Sequence, residues 1–161
     1  MLSQALIKTY NGFVGSVQPE NSVLGNELGR KLGVLKCDYK FSRDGGAVST
    51  IDLKLPGEDE VAATLPDNAV IWDGCIDVLT AVTSGGAAEM SLQANAADDL
   101  VIATVVAGAP WSTTGLKVII PVGSVATAIK LTAARTIQSA VSVAVLTAGE
   151  FNVFLFYLLS D

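Results

Sequence analysis

Turn-forming residues interrupt this chain too often for long helices to form over most of its length. From Lys36 onward, clusters of Gly, Pro, Asn and Asp recur about every ten to twelve residues, which is the spacing found in all-β sandwiches and barrels. We therefore expect an all-β fold over residues 36–161, an antiparallel β-sandwich that is jelly-roll-like. The apolar stretches between the turn clusters predict strands at residues 37–42, 48–55, 69–82, 87–94, 100–106, 116–122, 128–134, 139–146 and 151–159.

The alternation of side chains indicates which strands have one wet face. In residues 87–94, apolar and polar residues alternate, as in a strand with one face on a core and one in solvent. The last stretch, residues 151–159, is apolar on both faces, which is typical of a strand central in a two-layer core or at a subunit interface. We expect its aromatic residues to serve the core or an oligomer contact; these are Phe151, Phe154, Phe156 and Tyr157.

Residues 1–35 differ from the rest of the chain. Five glycines and one proline recur every few residues, so no long helix or strand fits, yet scattered apolar residues remain, which disordered tails rarely carry. We predict an extended N-terminal arm ahead of a body at residues 36–161, with a plain tail as the alternative. The arm residues expected to bind a partner are Tyr10, Phe13, Val17, Leu24, Arg30 and Lys31.

Composition and charge suggest a protein partner. Half of the 161 residues are hydrophobic, 16% are charged and the mean hydropathy is +0.50, so part of the surface is expected to be covered by another subunit or a partner. The net charge of −6 divides into +3 over residues 1–43 and −9 over the remainder. An acidic body does not suit nucleic acid, whereas a weakly basic head suits docking to a protein surface.

Several classes of function are disfavoured by the residues present. The sequence contains no histidine, which removes histidine-based nucleophilic catalysis and the commonest zinc ligand. Ser84, Gly85 and Gly86 precede a predicted strand and not a helix, so they form a hairpin turn and not a phosphate loop. No apolar run approaches the roughly 18 residues of a membrane helix, and no secretory signal is evident, so no membrane partner is expected. No cofactor is expected either.

A few residues leave alternatives open. Asp73 and Asp77 share a strand face but lie roughly 13 Å apart at about 3.3 Å per residue, too far for a glycosidase pair. Residues 58–60 and the pair Asp98 and Asp99 could help to ligate calcium, although solvated loop charges are the better interpretation. Trp72 and Trp111 could form a sugar-binding platform, with packing in a core or interface as the favoured role. Both cysteines, Cys37 and Cys75, are expected to be buried free thiols.

Two long runs carry a resemblance to a known group of proteins. The run LPDNAVIWDGCIDVLTAVTSGGAAEMSLQ and the later run KLTAARTIQSAVSVAVLTAGEFNVFLFYLLS resemble structural proteins of tailed bacteriophages. They are most similar to capsid decoration (cement) and head-fibre proteins, as a style of sequence over about residues 65–160 and not as a signature motif.

The resemblance implies a function and a location. It implies a non-enzymatic β-sandwich or jelly-roll body, a homo-oligomer that is usually a trimer, and a position on the outside of a capsid. The major capsid protein would be the partner, and the chain would be made in the host cytoplasm and end on the virion surface. The alternatives are a carbohydrate-binding jelly-roll adhesin and a tail or baseplate subunit of a phage, with a hydrolase disfavoured by the missing histidine.

Overall fold

The computed structural model describes residues 32–119 and 128–160. By its internal contacts the chain divides into Met1–Leu32 and Gly33–Asp161, and the described residues belong almost wholly to the second unit. One helical turn, α1 (Phe41–Asp44), accompanies the described strands. The strands are β1 (Leu32–Lys40), β2 (Thr50–Asp52), β3 (Thr64–Leu65), β4 (Ala69–Ser84), β5 (Glu89–Gln93), β6 (Val101–Val105), β7 (Gly115–Ile119), β8 (Ile129–Lys130), β9 (Arg135–Thr136), β10 (Gln138–Ser142) and β11 (Leu146–Leu159).

The strands form two main sheets, and the prediction of an all-β antiparallel sandwich is confirmed. The first sheet has the order β1-β11-β4-β7, with the short β8 also paired to β4. The second sheet has the order β2-β10-β5-β6, and β3 pairs with β9 as a separate two-stranded piece. Apart from β5 and β6, neighbouring strands in these two sheets are far apart in sequence, so long-range pairing holds the fold together.

The core lies between the two sheets, where alternate residues of each strand point inward. Along β11, Phe151, Val153 and Leu155 are fully buried, and each is separated from the next by a partly exposed residue. Met90 and Leu92 of β5 enter the same buried cluster from the second sheet. A single apolar layer therefore joins both sheets, as the alternation in the sequence predicts.

The prediction of a hairpin turn at residues 84–86 is wrong, because β4 and β5, on either side of it, belong to different sheets. Residues 69–82 form the single strand β4, in which one irregularity places Phe156 opposite Asp73 but Tyr157 opposite Ile71, leaving Trp72 as an extra residue. The prediction of one strand at residues 128–134 is wrong. That segment contributes β8 to the first sheet, and β9 begins just beyond it and pairs with β3, because the chain leaves the first sheet between them.

Two titratable side chains of β1 are buried in the core, which makes the fold sensitive to high pH. Burial raises the pKa of the Cys37 thiol well above its ordinary value, with the charge of Asp38 adding to the effect. Burial and the charge of Asp44 raise the pKa of Tyr39 to about 12. Both groups stay neutral in the folded protein while the unfolded chain can ionise them from about pH 9 and 10, so high pH favours unfolding.

We expect stability to be intact below pH 9 and to fall as the pH rises from 9 towards 12. Urea unfolding monitored by circular dichroism at several pH values measures this slope. The double variant C37A/Y39F lacks both groups and should show a shallower loss over the same range. Equal slopes for the two proteins would mean that other groups govern the alkaline transition.

Candidate interaction surface

The first sheet turns an apolar surface outward, away from the core. Side chains at alternate positions of its strands form this surface, which we call the outer face. In one row across the sheet, Phe154 of β11 lies opposite Cys75 of β4, which lies opposite Val118 of β7. We define the outer face by seven apolar residues, which are Val34 of β1, Phe154 and Phe156 of β11, Trp72 and Cys75 of β4, and Leu116 and Val118 of β7.

Several apolar side chains of the outer face are more than half exposed to solvent. Val118 is 73% exposed, Leu116 67% and Val34 58%. Trp72 is 52% exposed, and its ring lies 5.9 Å from that of Phe156 in a tilted contact. Isolated exposed apolar residues are normal, but a contiguous set across four strands marks an interaction site.

The position of β1 follows from two contacts with β11. Gly33 lies directly against the ring of Tyr157, so close that a Cβ at this position would clash with the ring. The ring of Tyr39 stacks on that of Phe151 at a centroid distance of 5.1 Å. The two strands are therefore antiparallel, which places Lys36 beside Phe154. The ammonium of Lys36 lies 5.4 Å from the Phe154 ring centroid, so a cation covers one side of the outer face.

Carboxylates lie on β4, the third strand of the first sheet, two strands away from Lys36. Asp77 of β4 lies between Asn152 of β11 and Leu116 of β7 in the next row of the sheet. Asp73 sits beside Trp72, where its carboxylate accepts a hydrogen bond of 2.7 Å from the Gly74 amide. The outer face thus carries a cation on β1 and carboxylates on β4, between apolar residues of β11 and β7. A second cation, Lys130 of β8, lies opposite Val70 of β4.

The aromatic residues predicted from the last strand separate into two groups. Phe151 is fully buried in the core, while Phe154 and Phe156 lie partly buried on the outer face. Tyr157 is partly buried and packs against both the core and Gly33. The predicted arm residues lie outside the described residues; they are Tyr10, Phe13, Val17, Leu24, Arg30 and Lys31.

Sequence reasoning missed most of the outer face. For Trp72 the sequence predicts packing in a core or interface, or a sugar platform, and it predicts no role for Leu116 and Val118. A signal was present, since Leu116 and Val118 alternate with Lys117 in a short strand. The alternation alone does not show that β7 is an edge strand next to β4, and that placement makes these residues part of one surface.

A buried ion cluster lies near one end of β1. The guanidinium of Arg43 donates to both carboxylate oxygens of Asp44, at 2.9 and 2.8 Å, and one of its nitrogens lies 2.7 Å from the Asp38 carboxylate. The hydrogen bonds to Asp44 raise the pKa of Arg43, so it stays charged. The side chains of Asp38 and Asp44 are only 4% and 3% exposed.

An open groove of about 600 Å³ runs beside this cluster and is lined mainly by polar residues. Asp59, which is 74% exposed on the side chain, lies 3.6 Å from the Arg43 guanidinium. Asp52 accepts a hydrogen bond of 2.8 Å from Gln138. Four of the six charged residues lining the groove, Arg43, Asp44, Asp52 and Asp59, have a polar partner, so these charges have a structural role.

Three exposed valines lie near one end of the sandwich. Val48 is 53%, Val143 69% and Val145 54% exposed. Their loops are joined by backbone hydrogen bonds from Val141 to Ser49, 2.9 Å, and from Leu146 to Gly46, 2.8 Å. Val143 also has a φ of 69°, a strained value for a β-branched residue, so this loop end is a second exposed apolar feature.

The other sequence candidates have structural roles or stay open. Trp111 is fully buried and cannot be an exposed platform, whereas Cys37 is buried and Cys75 is only partly so. The Asp99 carboxylate accepts three backbone hydrogen bonds, from residues 94, 95 and 96, so it closes its own loop. Among the described residues, no group of three potential ligands could hold a metal ion.

The described part of the chain also contains no helix long and apolar enough to cross a membrane. No protein-family profile matches the sequence, and no curated protein matches it.

The fold has counterparts among solved structures of phage capsids. A chain in the acidic stable capsid structure of Helicobacter pylori bacteriophage KHP30 is similar with a TM-score of 0.53 and 11% identity, covering 81% of this chain and 90% of that one. A chain in the capsid of Ralstonia phage GP4 gives 0.53 and 16%, covering 80% and 86%. A chain in the cyanophage Pam1 capsid asymmetric unit gives 0.53 and 15%, covering 80% and 85%. At these identities the likeness shows a shared fold.

Proposed function

We propose that this protein is a structural protein of a phage virion that decorates the outside of the head. The observation that carries the proposal is the shared fold. Chains from three different phage capsids match about four fifths of this chain, and this chain covers at least 85% of each of them. A match over nearly the whole of each neighbour is what a protein of the same architectural type would give.

We also infer that the sandwich is a jelly roll. The first described strand pairs with the last, β1 with β11, and the second pairs with the next to last, β2 with β10. Two sheets with nested pairing of this kind, one of five strands and one of four, are what a double Greek key produces. The strand order therefore supports the architecture that the sequence resemblance implies.

The proposed action is mechanical and not catalytic. Many copies would bridge neighbouring subunits of the major capsid protein on the virion surface, after synthesis in the host cytoplasm. At about 25 cal/mol per Å², a standard interface of roughly 1,600 Å² contributes many kcal/mol before ordering costs are subtracted. The absence of histidine from the sequence and the paired state of most buried charges support a structural role.

The N-terminal arm is proposed to fasten the body to the major capsid protein. Residues 1–43 carry a net charge of +3 and the rest of the chain −9, so the basic end suits an acidic partner better than the body does. Deleting residues 1–30 is expected to leave a folded β body that no longer co-sediments with undecorated capsids. Binding of the full chain should weaken as salt is added, because exposed charges are screened.

A full-length variant separates the charge of the arm from its length. R30E/K31E should bind capsids less well than K130E/R135E, which makes the same reversal on the body. If the truncated protein co-sediments as well as the full chain, docking lies on the body, and the loop end around Val143 becomes the surface to mutate.

A carbohydrate-binding adhesin is the second candidate, and Trp72 is the observation that favours it. An exposed indole beside a carboxylate is a common sugar platform, and Trp72 is 52% exposed next to Asp73. The ring lies against Phe156 within a larger apolar surface, which suits a protein interface better. A glycan array decides between the two: specific binding that W72A abolishes would establish the adhesin.

A further inference from the structure

We propose that the outer face is the contact through which a second copy of this chain binds. The contact would have an apolar centre and two equivalent ion pairs, between Lys36 of each copy and Asp77 of the other. This deepens the proposed virion role, but it concerns the purified protein alone.

The size of the outer face favours a protein-sized occupant. A large apolar side chain that is half exposed offers on the order of 100 Å² of surface. Val34, Trp72, Leu116 and Val118 are each more than half exposed and together offer on the order of 400 Å², to which the three partly buried residues add less. The apolar area is therefore as large as the largest patch on a typical monomer and is a substantial part of the roughly 800 Å² per partner of a standard interface. A small ligand would need a concave pocket, and this surface is the open side of a sheet.

The edge position of β7 adds to the argument. β7 pairs with β4 on one side, and within the described residues no strand pairs with its other side. Its two outward side chains, Leu116 and Val118, are the most exposed residues of the outer face. Natural proteins cover or charge such an edge, because an exposed apolar edge strand promotes association. A subunit contact would cover it.

The distribution of charge makes the outer face complementary to itself. Lys36 stands on the β1 side, over Phe154, and Asp77 stands on the β4 side, next to Leu116. Neither forms an ion pair with another residue in the described ranges. When the outer face of one copy is rotated and laid on another, Lys36 of each can meet Asp77 of the other while the aromatic residues meet in the centre. A partner of uniform charge would leave one of these two ions opposed by a like charge.

The apolar part of the contact is tested by L116D, with I102D as its matched control. Ile102 of β6 is 53% exposed, but it belongs to the second sheet. Size exclusion with light scattering at micromolar concentration should give a multiple of 16.6 kDa for wild type and I102D, and 16.6 kDa for L116D. Circular dichroism should show that L116D is folded. A monomeric wild type, or equal masses for the two variants, would overturn the proposal.

The ion pair is tested by exchanging its charges. K36E and D77K should each weaken self-association about tenfold, because each places like charges opposite one another at the contact. The double variant K36E/D77K should recover to within about threefold of wild type, since the pair is restored with reversed sign. If the losses simply add in the double variant, Lys36 and Asp77 do not meet and this docking is wrong. Failure of capsid binding alone would leave these results unchanged, so the two proposals are tested separately.

Discussion

Replacing Arg43 by alanine is expected to destabilise the fold by about 3–5 kcal/mol, because it leaves the buried Asp44 carboxylate without its cation and the buried Asp38 carboxylate with only Lys40, 3.9 Å away. Asp38 and Asp44 are almost fully buried, and Arg43 binds both. Domains of this size typically have a free energy of unfolding of about 5–15 kcal/mol, so the variant should be largely unfolded or unfold at low denaturant concentration. Urea titration followed by circular dichroism measures the loss.

Two control variants define the cause. Arg135→Ala removes an exposed guanidinium from β9 and should change stability by less than about 0.5 kcal/mol. Arg43→Lys keeps the charge but loses the paired hydrogen bonds to Asp44, so it should fall between wild type and Arg43→Ala. Were Arg43→Ala no worse than Arg135→Ala, the cluster would contribute no net stability.

The Arg43 cluster also shows where sequence reasoning stops. Residues 43–46 read as a turn because arginine, aspartate and two glycines follow one another, and the chain does turn there after α1. Nothing in that local pattern indicates that Asp38, five residues earlier on β1, is buried against the same guanidinium. Turn chemistry is local and readable, whereas the pairing of buried charges depends on how the chain packs.

The outer face is likewise only partly predictable from the sequence. The two-sided apolar pattern of residues 151–159 predicts a strand central in a two-layer core or at a subunit interface, and β11 lies between β1 and β4 with one face on the core. The same pattern predicts a core or oligomer role for Phe154 and Phe156. The rest of the outer face depends on the order β11-β4-β7 and on the register that aligns Phe154 with Val118 across β4. Register and strand order come from long-range pairing, which a period of two within one strand does not encode.

The prediction of one strand at residues 128–134 was wrong for a related reason. Residues 128–134 alternate well enough to predict one strand, but β8 extends the line of β7 along β4, and the chain then crosses to β3. A strand of two residues has too few side chains to show a period. Segments that connect sheets at a corner therefore look like strands in the sequence, and their division is visible only in the fold.

Trp111→Ala should be comparably damaging, with an expected loss of about 3–5 kcal/mol in the free energy of unfolding. The substitution removes the largest fully buried side chain of the described core and leaves a cavity. The Trp111 ring lies 5.4 Å from that of Phe151, which in turn stacks on Tyr39. The loop between β6 and β7, strand β11 and strand β1 therefore meet at one aromatic cluster. Its indole N–H donates to the Thr104 hydroxyl at 2.9 Å, which satisfies the one polar atom of the side chain.

Trp111→Phe separates the volume of the ring from its hydrogen bond. It keeps an aromatic contact with Phe151 but leaves the Thr104 hydroxyl without its donor, so the expected loss is roughly 1–3 kcal/mol. Chemical unfolding of both variants measures the difference, with dichroism as the readout because the substitutions alter tryptophan fluorescence.

Trp72 offers the opposite comparison, since Trp72→Ala removes an exposed indole and should leave the body folded while weakening self-association. A Trp111→Ala protein as stable as Trp72→Ala would place the core elsewhere and remove the basis for assigning the two tryptophans different roles.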